Sequence, residues 1–270
     1  MRLAEPVAAS WKASLSLGFT PRGERSVLTR RQHDGPLVVQ KPLYPEGEGV
    51  CHAIVVHPPG GIAGGDELAL DVRCEHGSHA VLTTPGAGKW YRSAGTLARQ
   101  SLDFNVAGTL EWLPRETIVF DGALAALDCN IVLEDEARYI GWEIVCLGRR
   151  GAGERFQHGC LQIATRIDRG ERTLYIDKGE IEAGGRLMHS PAGLGGRSVF
   201  GTFIATSTEP LGAARAAAPE LAVTQLPGLL VARYLGDSSE EALRAFIQLW
   251  TVMRPVVVGR AAVEPRIWRT

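Results

Sequence analysis

Carboxylates set among apolar residues are the first candidates for chemistry in this 270-residue chain. Glu143 lies within Tyr139-Ile140-Gly141-Trp142-Glu143-Ile144-Val145-Cys146-Leu147, and on a strand it shares a face with Gly141 and Val145. A charge in that context stands at a sheet rim or is buried with a partner. Glu116 and Asp121 flank Ile118-Val119-Phe120, and Glu180 and Glu182 alternate around Ile181. Taken singly, each also reads as an ordinary ion pair with one of the many arginines. Histidine and cysteine are the other candidates, as metal ligands. Along a strand Cys51 and His57 share a face that His52 opposes, and Cys74 shares one with His76 but not His79. Neither set has the spacing of a closed four-ligand site, so structural or surface roles are the better reading.

Two glycine-rich segments imitate phosphate loops. His57-Pro58-Pro59-Gly60-Gly61-Ile62-Ala63-Gly64-Gly65-Asp66 lacks the lysine and hydroxyl residue of a P-loop, and a strand pattern, not a helix, follows it. It reads as a rigid turn placing His57 and Asp66. Thr83-Thr84-Pro85-Gly86-Ala87-Gly88-Lys89-Trp90 offers a Gly-Lys pair but has Thr83 and Trp90 where glycine and Ser/Thr are required. It reads as a strand ending in a structured loop, from which Lys89, Tyr91 and Arg92 can meet a partner. The nucleophile pattern Gly-x-Ser-x-Gly is absent.

The elements that position these residues alternate with period two. Leu68, Leu70, Val72 and Cys74 share one face, with Glu67, Asp71 and Arg73 on the other. Similar runs occur at 54–56, 80–84, 102–106, 110–112, 129–133, 139–147, 161–167, 173–176, 199–206 and 229–235, punctuated by Gly and Pro. Without helices between them, a parallel βαβ sheet is disfavoured and an all-β body is expected. Helix enters near the end. Ser238-Ser239-Glu240-Glu241 forms a capping box with Ser238 as N-cap. Leu243, Phe246, Ile247, Trp250 and Met253 then recur at helical spacing, with Pro255 as the expected stop. The stripe is read as core more readily than as a docking patch. A weaker helix is expected over 211–218, and the tail after 256 as a docked segment. One domain over 1–270 accounts for this, with a β-rich body at about 10–235 and the helix and tail at about 236–270.

Apolar residues make up 45% and net charge is −1, which suits a large core and does not suit nucleic-acid binding. Five cysteines without regular spacing point to reduced thiols in the cytoplasm. Lys12 interrupts the apolar N-terminus, and no run is long enough for a membrane span.

Several blocks together resemble the UreD/UreH family of urease accessory proteins. They are Tyr44-Pro45-Glu46-Gly47, the segments 57–66 and 83–93, Glu111-Trp112-Leu113-Pro114-Arg115-Glu116-Thr117-Ile118-Val119-Phe120-Asp121-Gly122, Gly141-Trp142-Glu143, and Ser190-Pro191-Ala192-Gly193-Leu194-Gly195-Gly196. Trp90 departs from the family's usual Phe, and Arg115 from its frequent Gln. The resemblance implies a mainly β, stacked and helically wound architecture with about two helices. It implies a non-catalytic scaffold that joins UreF and the GTPase UreG on apo-urease while nickel enters the urease active site. No cofactor is then held tightly, and nickel passes transiently. A courier must release its metal. Thiolate and imidazole sets grip Ni²⁺ firmly, so a conduit should rely on oxygen ligands. Candidate path residues are Asp66, Thr84, Glu116, Asp121, Glu143 and Glu180. Candidate partner contacts are Lys89, Tyr91, Arg92, Arg266 and Trp268, since Arg and Trp are enriched at interface hot spots. The competing readings are a metal-dependent hydrolase and a β-rich binding module.

Overall fold

A computed structural model describes residues 10–208 and 212–269. Strands β1 (Lys12–Arg22) and β2 (Arg25–Asp34) form an antiparallel hairpin in the first sheet. Strands β3 (Val38–Val39) and β4 (Cys51–Val56) open the second sheet. The chain then commutes between the two. Strand β5 (Glu67–Cys74) returns to the first sheet and β6 (His79–Thr83) to the second. After the short β7 (Gly88–Trp90), β8 (Ala98–Val106) and β9 (Thr109–Leu113) repeat the alternation. After the short β10 (Thr117–Val119), β11 (Leu124–Leu133) and β12 (Arg138–Leu147) repeat it again. The first sheet ends with the hairpin β13 (Cys160–Arg169) and β14 (Arg172–Glu182). The second ends with antiparallel β15 (Val199–Thr206), β16 (Ala222–Leu226) and β17 (Leu229–Gly236).

This alternation makes neighbouring strands parallel without helices between them. Parallel pairing runs β1–β5–β8–β11–β13 in one sheet and β4–β6–β9–β12 in the other. A parallel pair needs a long crossover, and here the crossover is a strand of the opposite sheet. The fold is therefore a wound, stacked β structure. Strands β7 and β10 pair in parallel and join β12, adding a narrow third side.

The winding stacks like residues. Leu17, Val72, Phe104, Ile131 and Ile167 stand in register across the first sheet and are all buried. Its other face is polar, which is why the sequence alternates there. The second sheet is covered twice, by the first sheet and by helices, so β6 is buried at all five residues and shows no alternation.

Among the described residues there are three α-helices: α1 (Arg186–His189), α2 (Gly212–Ala217) and α3 (Ser239–Val258). Ser238 caps α3 as expected, its hydroxyl accepting the Glu241 N–H at 3.2 Å. Leu243, Phe246 and Trp250 are buried against the second sheet, so the apolar stripe is core. Pro255 does not end the helix, contrary to expectation. It continues to Val258 and closes at Gly259, whose N–H donates to the Pro255 carbonyl at 3.0 Å. Burial of Met253, Arg254, Val257 and Val258 around the proline outweighs its lost hydrogen bond. The tail is docked: Trp268 packs on Trp142 and Trp250, each at 5.9 Å between ring centroids. None of the five cysteines forms a disulfide.

Candidate functional site

Two cavities lie between the sheets, of about 480 and 290 Å³. Leu102, Trp112 and Glu143 line both, so the cavities adjoin at a glutamate. The period of β12 explains its orientation: Gly141, Glu143 and Val145 line the interior, while Ile144 and Cys146 belong to the core beneath α3. Thr117 on β10 donates its hydroxyl to Glu143 Oε1 at 2.8 Å. Burial pushes the Glu143 carboxyl up to about 7, against the downward pull of the Thr117 hydrogen bond. Near neutral pH it is therefore divided between acid and carboxylate.

The larger cavity runs to a polar end. There Arg233 donates to Asp177 Oδ2 at 2.9 Å and to the Tyr175 hydroxyl at 3.2 Å. The smaller cavity holds Thr84, Lys89, Gln100 and His57 in its wall. His57 Nε2 is buried without a hydrogen-bond partner among the described residues. Burial lowers the His57 pKa, opposed by the nearby Asp66 charge, so this imidazole favours its neutral, ligand-competent form. Sequence reasoning placed His57 by its turn but did not make it a site residue. The turn packs closely at Gly61, where a side chain would meet the Tyr91 ring at 2.1 Å.

Of the six path candidates, Glu143 and Thr84 line the cavities and four do not. Asp66 is a turn latch, its two oxygens accepting Trp11 N–H at 2.8 Å and Ala63 N–H at 2.7 Å. Asp121 is another, accepting the N–H groups of Gln157 and His158 at 2.8 Å and a guanidinium N–H of Arg92 at 3.0 Å. Glu116 stands outside the lining and faces Arg115 at 3.7 Å. Glu180 falls on the wrong side of its strand. Period two turns Tyr175, Asp177, Gly179 and Ile181 inward and leaves Glu180 exposed, where it accepts from Gln162 at 2.9 Å. Thr84 also holds the Arg115 N–H, at 2.9 Å.

The partner candidates divide similarly. Lys89, Tyr91, Arg92 and Arg266 are exposed. Tyr91 leans edge-on against Phe120 at 5.1 Å. Trp268 is engaged within the chain, donating its indole N–H to Thr83 at 2.9 Å.

A buried ionic network escaped sequence reasoning, because its members lie up to 208 positions apart. Arg254 of α3 donates to Glu46 at 2.6 and 2.9 Å and to Glu111 at 3.0 Å. His52 meets Glu46 at 2.6 Å, His79 meets Glu111 at 2.7 Å, and the Trp250 indole N–H donates to Glu111 at 2.7 Å. Burial alone would raise Glu46, yet its bonds to His52 and Arg254 hold it at about 2. Both carboxylates are thus fully committed to holding α3 on the second sheet. Among the described residues no group of three or more His, Cys, Asp or Glu is placed to hold a metal ion. No helix among them is long and apolar enough to cross a membrane.

Comparison with known proteins covers the whole chain. Residues 12–269 match the model of the family described as UreD urease accessory protein. Urease accessory protein UreD of Dechloromonas aromatica is 50% identical, with 97% of this chain and 95% of that protein covered. The UreD protein of Azoarcus sp. is also 50% identical, over 100% of this chain and 98% of its own length. That of Pseudomonas aeruginosa is 47% identical over 97% and 96%. A full-length family match and identities near one half, on a wound β fold with the expected C-terminal helix, settle the relationship: the chain belongs to the UreD family of urease accessory proteins.

Proposed function

We propose that this chain is a cytoplasmic, non-catalytic scaffold for urease maturation, which joins UreF and UreG on apo-urease and passes nickel through its interior. The observation that carries the reading is the adjoining pair of cavities with Glu143 in the walls of both, in a chain of this family. Nickel is cargo here, and its path must hold it weakly. The polar wall atoms match that need. They include the Glu143 carboxylate, the Thr84 and Thr117 hydroxyls and one neutral imidazole at His57, with Lys89, Arg115, Cys129 and the Asp177–Arg233 pair elsewhere in the walls, and among the described residues no three His, Cys, Asp or Glu are placed to hold a metal together. Glu143 adds reversibility. With its carboxyl at about 7, it gives up a proton to accept a divalent ion and takes one back to release it. Lys89, Tyr91, Arg92 and Arg266 provide the exposed contacts for protein partners.

The test uses Glu143→Lys and Thr84→Trp in cells carrying the urease operon. The expected result is that each variant still co-purifies with UreF and UreG, while the purified urease carries several-fold less nickel. Normal nickel content in both variants would remove the interior path from the account.

A further inference from the structure

A third cavity, of about 360 Å³, shares no lining residue with the two of the passage. Leu147, Phe156 and Met188 give it an apolar floor. Arg150, Arg155, Arg197 and His189 form its rim, and no acidic residue lines it. The segment 184–198 brings half of this rim together. Gly195 and Gly196 take φ of 56° and 80°, a conformation that other residues resist. The fold-back lets Gly196 N–H donate to the Met188 carbonyl at 2.7 Å, which sets His189 and Arg197 on one edge.

One carboxylate already sits beside this rim. Arg197 donates to Asp237 at 2.7 Å, Arg150 pairs with the same carboxylate, and the Ser198 N–H joins them at 3.2 Å. Two guanidiniums, Arg150 and Arg197, thus share a single acid. The side chains of Arg155 and His189 have no hydrogen-bond or ion-pair partner among the described residues. A guanidinium fork matches the oxygens of carboxylate or phosphate, and the volume is that of a small-molecule site.

We propose that this cavity binds a small organic anion. Its phosphate or carboxylate head is held by Arg155 and His189, with Arg150 and Arg197 alongside, and its apolar body lies on Leu147, Phe156 and Met188. The proposal stands apart from the nickel passage and does not depend on it.

Calorimetric titration of the full chain at fixed ionic strength tests it, with phenyl phosphate, benzoate and inorganic phosphate as probes. Phenyl phosphate or benzoate should bind one-to-one, and which of them binds tighter identifies the head group. The aromatic probe should bind tighter than inorganic phosphate, because its ring covers the floor. Arg155→Gln should weaken binding about tenfold, the worth of one charge-assisted hydrogen bond. Lys178→Gln, on the outer face of β14, should leave it unchanged. No saturable binding at millimolar probe, or equal losses in the two variants, would overturn the site. Equal affinity for inorganic phosphate would overturn the organic part of the assignment.

Discussion

Glu143 is the residue on which the account turns, and its environment makes a prediction about stability. Its carboxyl is raised from an ordinary value of 4.5 to about 7 by burial. Between those values the folded chain keeps a proton that the unfolded chain has lost. The favourable contribution is complete below pH 4.5 and is lost as pH rises through about 7. Glu143→Gln escapes that loss while still accepting the Thr117 hydrogen bond. The variant should therefore gain stability relative to the parent as pH rises from 4.5 to 7, by on the order of 1–3 kcal/mol above pH 7. Urea unfolding at pH 5 and pH 8 measures this, and an equal difference at both values would contradict it. The sequence marked Glu143 because a charge interrupts an apolar strand. It could not separate Glu143 from Asp66 or Asp121, since acids that latch turns through backbone N–H groups look the same in a one-dimensional pattern. Glu180 differed by strand face alone, which a one-residue change of phase reverses.

Helix α3 shows how an element is fixed from both ends. Ser238 caps its start, so Ser238→Ala should lower stability by about 1 kcal/mol. Arg254 anchors its last turns between Glu46 and Glu111. Removing it leaves two buried carboxylates without their guanidinium, Glu46 with His52 alone and Glu111 with His79 and Trp250, so Arg254→Ala should cost roughly 3–5 kcal/mol in chemical denaturation. A loss below about 1 kcal/mol would mean that water or movement of α3 satisfies them instead. The start of α3 was readable because a capping box is local. Its continuation through Pro255 was not, because the compensating contacts come from strands far away in the sequence.

At the scale of the whole molecule, the sequence showed many short strands and no helices between them, and so a β body. The two-sheet winding was carried by family resemblance rather than by pattern. Alternation between sheets appears only once pairing is known, and β6, read from the sequence as an alternating run, is buried on both faces because its sheet is covered twice. That winding leaves an interior between the sheets, where the two adjoining cavities lie, and an exposed narrow side that presents Tyr91 and Arg92. The most direct measurement is the nickel content of urease purified from cells that carry the urease operon and lack only this gene. Urease should accumulate nickel-poor and inactive in those cells, and restoring the gene should restore both metal and activity. Urease fully loaded with nickel in its absence would contradict the maturation role.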